Sequence, residues 1–316
     1  ADGLDTPLLW SIAAAPDGDV WVGSSDGVDV WRDGRFHNRV PGSQLPHPEA
    51  YSLLPERDQV WIGTRAGVAV LRQGRLEEPA GLAPLRDAQI NGIVRDRADR
   101  LWFATTRGLF LLEDGTRLSR YAERDGLADP RIRLVHETRD GRILLGTYQG
   151  LYEWREGRIL PTGRLTGLSD DTPVTAFLEL EDGRWVLGTS NGESLRLYDG
   201  RRWHWLDRER ELPANVAFHL VQNDNDLWVA GMRGVYRLPL SSLDRALADL
   251  VPEFSRSYLQ QLLAQGLVSL NGKPVHKSAT RVKAGDQVAL EMRPTLQSQA
   301  FRPEPMAIDV VYEDAH

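Results

Sequence analysis

The chain has 316 residues, 41% of them hydrophobic and 26% charged, a balance that permits sizeable folded cores and argues against disorder. A net charge of −7 excludes a surface that is basic throughout, although a local basic patch remains compatible with it. The absence of cysteine excludes disulfides, thiol catalysis and cysteine-built zinc sites together, and no apolar run nears the roughly 20 residues that span a bilayer.

The chain opens on Ala1 with no basic-then-apolar leader, so any start methionine or signal peptide is expected to have been removed or never present. A block of the form Trp, apolar, Gly, Ser or Thr, two residues, Gly, apolar then returns six times in the first 240 residues. It reads Val20-Trp21-Val22-Gly23-Ser24 with Gly27-Val28, Val60-Trp61-Ile62-Gly63-Thr64 with Gly67-Val68, and Leu101-Trp102-Phe103-Ala104-Thr105 with Gly108-Leu109. Looser copies are Ile143-Leu144-Leu145-Gly146-Thr147 with Gly150-Leu151, Trp185-Val186-Leu187-Gly188-Thr189 with Gly192, and Leu227-Trp228-Val229-Ala230-Gly231 with Gly234-Val235. Equivalent positions Trp21, Trp61, Trp102, Leu144, Val186 and Trp228 lie 40, 41, 42, 42 and 42 residues apart, the period of propeller blades.

Each unit reads as four short strands. In the fourth copy, Ile132 to Val135, Ile143 to Gly146, a strand from Gly150 and another around Arg158 to Leu160 are separated by turns at Asp140-Gly141 and Glu156-Gly157. Asp-Gly recurs at Asp17-Gly18, Asp33-Gly34, Asp114-Gly115, Asp182-Gly183 and Asp199-Gly200, and primed hairpin turns want positive φ at both central residues. These carboxylates read as turn formers bonding their own backbone rather than as catalysts. The predicted fold is thus mainly β, a six-repeat β-propeller over residues 1–240 with four-stranded blades. The last blade is incomplete, stopping after Val235 to Leu238 before an outer strand. Asp2-Gly3-Leu4 matches the inter-blade Asp125-Gly126-Leu127, so the first blade starts in register. A closed ring of six and an arc cut from a longer propeller both fit this pattern.

The apolar strand, Asp-x-x-Gly, Leu-Trp-Ile-Gly-Thr and following Gly-Leu resemble the two-component regulator propeller repeat over residues 3–238. That resemblance implies a sensor region, usually periplasmic, that recognises breakdown products of polysaccharides.

Past Leu240 the composition changes: all ten Trp residues lie between Trp10 and Trp228, and all three Lys residues (Lys273, Lys277, Lys283) lie after it. Residues 241–293 hold seven basic against five acidic side chains. Leu243, Ala246, Leu247 and Leu250 fall at helical spacing, and a second helix starts at a Ser255 cap and ends at Gly266. Short strands at Leu267 to Leu270, Val275 and Val288 to Met292 follow, the first two joined at Asn271-Gly272, so a small α+β domain is expected over 241–293. Leu243-Asp244-Arg245-Ala246-Leu247, Pro252-Glu253-Phe254-Ser255-Arg256-Ser257, Gly266-Leu267-Val268-Ser269-Leu270-Asn271-Gly272-Lys273 and Val282-Lys283-Ala284-Gly285-Asp286 resemble the S4 RNA-binding domain that fronts large-subunit pseudouridine synthases. Residues 294–316, with Phe301-Arg302-Pro303-Glu304-Pro305 and Ile308 to Asp314, resemble the linker and the start of the synthase catalytic domain. The synthase's His-Arg-Leu-Asp motif does not occur, so the resemblance implies RNA contact without pseudouridine formation. It makes Arg256 and Ser257, at the start of the second helix, phosphate contacts, and gives Lys273, Lys277, Arg281 and Lys283 a backbone-tracking patch. Tyr258 stands where the family commonly has a basic residue, which implies weaker affinity.

Among other candidates, the stripe of Trp21, Trp61, Trp102 and Trp228 reads as inter-blade core rather than a sugar platform, while Trp203 and Trp205 alternate so that one is exposed. The histidines lack metal spacing; His136 and His219 read as related innermost-strand positions, as a shared axial site would require. No catalytic residue, metal ligand or cofactor motif stands out. The chain reads as a non-catalytic binding protein, with RNA as partner of the S4-like module and an oligosaccharide or protein as partner of the propeller, at residues left open. An orphan periplasmic sensor binding oligosaccharide is one alternative; a fragment or relative of an RNA pseudouridine synthase is another. A propeller enzyme would need carboxylates or histidines converging in the central channel. The two resemblances point to different compartments, periplasm and cytoplasm, and with the composition break they suggest a fusion of segments of different origin.

Overall fold

A computed structural model describes residues 8–169, 171–190, 195–198, 200, 203–205, 217–223, 226–231, 234–239, 262–276, 280 and 288–290. The chain divides into two compact units, Ala1–Pro239 and Leu240–His316. The first holds six antiparallel sheets, each a meander of strands paired in chain order. Five sheets have four strands; the sixth, Ala217–Asn223, Asp226–Gly231 and Gly234–Pro239, has three among the described residues. The innermost strands Leu9–Ala14, Ala50–Pro55, Ile90–Arg95, Ile132–Glu137, Val174–Glu179 and Ala217–Asn223 lie each beside the next.

The repeated Gly-Thr-x-x-Gly is a hairpin lock. The hydroxyl of Thr105 donates to the Gly108 carbonyl at 2.7 Å and accepts the Arg107 N–H at 2.9 Å, and Ser24, Thr64 and Thr147 repeat the pattern. All four side chains are 0% exposed, so the lock replaces bonds that water would otherwise supply. Gly108 turns at φ +112, where a Cβ would also lie 2.4 Å from the Tyr121 carbonyl. The Asp-Gly turns are of two kinds. Asp33 and Asp114 have φ +53 and precede Gly at φ +78 and +67, as primed turns require. At Asp17-Gly18, Asp140-Gly141 and Asp182-Gly183 only the Gly is positive, which corrects the uniform reading. There the carboxylate closes the turn: Asp17 accepts the Asp19 N–H and Asp182 the Arg184 N–H.

One face of each blade packs on the opposite face of the next. Trp61, Val68 and Val70 meet Ile93, Leu101, Phe103 and Phe110; Trp102, Leu109 and Leu111 meet Val135, Ile143, Leu145 and Tyr152. Burial leaves the indole N–H in need of an acceptor. Glu56 accepts from Trp61 at 3.0 Å and Asp96 from Trp102 at 2.7 Å. The stripe is therefore core in the first three blades, but Trp228 is 39% and Val235 65% exposed in the sixth. On the first blade's other face Ile12 is 62% exposed. The end blades each keep in solvent a surface that a neighbour covers elsewhere. Near the axis they meet, where the His219 ring reaches the backbone of Trp10. Among the described residues no strand is exchanged between these two sheets.

In the second unit, Leu262, Leu263, Leu267 and Val268 are buried, and Gly266 at φ +71 ends the helical residues 262–264. Val268–Leu270 pairs with both Lys273–Val275 and Val288–Leu290, and Asn271 and Gly272, at φ +51 and +76, make the primed turn between the first two. Among the described residues no helix is long and apolar enough to cross a membrane.

Candidate functional site at the axial end of the propeller

Every innermost strand is interrupted at one register. The pairing skips Trp10, Tyr51, Asn91, Arg133, Thr175 and Phe218, each lying between two residues that pair normally with the second strand. A bulge bends the strand and re-aims the extra side chain, which strict alternation would commit to a sheet face. The positions just before five of the bulges are core: Ala50, Ile90, Ile132, Val174 and Ala217 are all 0% exposed, whereas Leu9 in the first blade is exposed. The bulged residues are instead six different types.

Four of the six bulges, those at Tyr51, Asn91, Arg133 and Phe218, are buttressed from the preceding blade. Ser11 donates to the Ala50 carbonyl at 3.3 Å, Ser52 to Ile90 at 3.0 Å, Asn91 to Ile132 at 2.7 Å and Thr175 to Ala217 at 2.6 Å. Some of the bulged side chains lie close to one another. Trp10 stacks on Tyr51 with centroids 5.0 Å apart. Arg133 in the fourth blade lies close enough for its charge to bear on Tyr51 two blades earlier and on His219 two blades later. Burial raises the Tyr51 phenol, with Glu49 adding and Arg133 opposing. Burial lowers His219, the Trp10 backbone opposing and Arg133 adding. His219 is nonetheless exposed and directly follows its bulge.

Two arginines flank Tyr148, their Cζ atoms 5.0 Å (Arg131) and 5.8 Å (Arg133) from its ring. Arg131 is held by Asp129 at 2.5 Å. Arg133 has a buried Nε with no hydrogen-bond partner.

The histidine expectation is corrected. His136 lies three residues past its bulge and packs on Phe177 at 4.7 Å, whereas His219 directly follows its bulge, so the two are not equivalent and form no shared site. Trp203 is partly buried against Tyr198, and the side chain of Trp205 lies outside the described residues. Of the expected RNA contacts, Lys273 is exposed on the strand after the Asn271-Gly272 turn; Arg256, Ser257, Lys277, Arg281 and Lys283 lie outside the described residues. The bulged positions escaped the sequence reading, because the column that follows them, Ser11, Ser52, Gly92, Leu134, Ala176 and His219, varies nearly as much as they do. A groove at the opposite end, lined by Arg139, Asp140, Arg142 and Asp182, is made of charges already paired, such as Arg142 with Asp140 at 2.9 Å. Among the described residues no group of three or more His, Asp or Glu is placed to hold a metal.

The S4 domain family matches residues 242–288. Ribosomal large subunit pseudouridine synthase D of Neisseria meningitidis is 43% identical over 72 residues, which is 23% of this chain and 19% of that protein. The chain thus spans about one fifth of the length of the curated relatives it matches. Among solved structures, the extracellular domain of a hybrid two component system from B. thetaiotaomicron superposes with TM-score 0.61 at 17% identity, over 76% of this chain and 34% of that one. Virginiamycin B lyase from Staphylococcus aureus superposes with TM-score 0.56 at 13% identity, over 76% of this chain and 87% of that one. The first unit therefore has the β-propeller fold, and residues 242–288 are an S4 domain.

Proposed function

We propose that the chain is a non-catalytic binding protein whose propeller presents its axial ring to a ligand or partner and whose S4 domain binds RNA. The observation that carries the propeller half is the set of six bulges at one register with six different side chains. A purely architectural role favours small or apolar residues, as at the preceding position in each blade; polar, charged and aromatic groups at the bulges suit recognition. Support for the RNA half is the S4 match together with the basic set Arg256, Lys273, Lys277, Arg281 and Lys283. Such cations hold phosphates without reading sequence. A gel shift with the intact chain and a structured RNA hairpin tests this half. Complex formation at low salt is expected, and no shift there removes the RNA reading while leaving the propeller reading intact.

A further inference from the structure

We infer that the axial ring is an anion site centred on Arg133, taking a carboxylate carried on a flat ring. The inference rests on the reading of the propeller as a ligand-binding ring. Arg133 stands at the bulge of Ile132–Glu137, and its buried Nε lacks a hydrogen-bond partner. Most partly buried arginines of the propeller are answered by a carboxylate: Arg95 by Glu56, Arg100 by Asp96 at 2.7 Å, Arg184 by Asp182 at 2.7 Å. Arg133 has none among the described residues, and nearby acids are engaged elsewhere, Asp129 by Arg131 and Glu49 by Arg65 and His47. The other polar ring members are also committed: Asn91 to Ile132 and Gln89, Thr175 to Ala217. An unanswered guanidinium fork matches two carboxylate oxygens.

Nearby aromatic side chains specify the rest of the ligand. Tyr51, within reach of the Arg133 charge, carries Trp10 stacked on it at 24°. Trp10 and Phe218 remain 36% and 37% exposed, so aromatic surface beside Tyr51 and His219 is left for a ligand. A ligand reaching from Arg133 to this pair needs a negative head and a flat apolar body, which an aromatic acid or an acidic sugar supplies.

The intact chain, titrated by calorimetry with sodium benzoate, sodium glucuronate and uncharged methyl glucoside, separates these sources. Saturable binding of benzoate, glucuronate or both, without methyl glucoside binding, is expected. Arg133→Met should weaken it by about tenfold or more and Arg133→Lys by less, while Arg131→Met leaves it unchanged. Unchanged melting of each variant shows that folding is intact. Silence of both acids, or acid binding indifferent to Arg133→Met, overturns the inference. Methyl glucoside binding that Trp10→Ala abolishes overturns the anion class yet keeps the ring as a ligand site, and acid binding indifferent to both Arg133→Met and Trp10→Ala overturns both readings.

Discussion

Thr105 shows how much of this fold rests on single hydroxyls. Thr105→Val keeps the shape but removes the acceptor of the Arg107 N–H and the donor to Gly108, groups that sit beside a fully buried side chain. A loss of about 1 kcal/mol is expected in urea unfolding, since the buried Gly108 carbonyl loses a donor while the Arg107 N–H, on an exposed residue, can turn to water. His136 gives the pH counterpart. Burial holds it below the ordinary imidazole range, with Glu179 opposing. A histidine that is harder to protonate when folded leaves stability intact above about pH 6.5 and erodes it as pH falls below that value. Leu54 and Leu178 fill the same position in the second and fifth blades, paired with Trp61 and Val186 as His136 is with Leu144. His136→Leu should therefore flatten the fall in melting temperature between pH 7 and pH 5. At this scale the repeat was legible but its cause was not, because spacing reveals that Thr recurs and only geometry reveals what its oxygen bonds.

Blades differ by what covers them. Trp102, 0% exposed and bonded to Asp96, is expected to cost about 3–5 kcal/mol on truncation to Ala, whereas Trp228, at 39% exposure, should cost about 1 kcal/mol. Comparing the two variants by thermal unfolding checks the asymmetry, and equal losses would mean that the sixth blade's outer face is covered in solution. The four-strand meander was readable because each strand carries apolar alternation bounded by Gly turns. The bulges were not, since an extra residue leaves no compositional trace and shifts the spacing no more than a turn of different length does. Trp228 was read with its equivalents as core for the same reason: periodicity identifies the face, but the presence of a covering neighbour belongs to the end of the array.

The chain as a whole joins two units whose chemistry changes at residue 240. The net charge of −7 contrasts with the excess of basic over acidic residues in 241–293, so RNA binding should be electrostatically local and steeply salt-dependent. Lys273→Ala and Arg256→Ala are each expected to lower the slope of log affinity against log salt by about one, measured on the intact chain. Unchanged slopes would remove these residues from the phosphate contacts. The break between units was plain in the sequence because Lys and Trp usage switches there; the axial ring was not, because it assembles residues from six repeats that no local window contains. The hydrogen bonds that brace the bulges have one more implication. They draw largely on neighbouring blades' backbone carbonyls, while normal pairing resumes on either side of each bulge. Trp10, Tyr51, Arg133 and Phe218, which supply none of these bonds, can thus be rewritten one at a time without re-registering any strand, so binding preference can drift through single substitutions there while Asn91 and Thr175 stay to hold the scaffold, like letters exchanged on a lock whose rings keep turning.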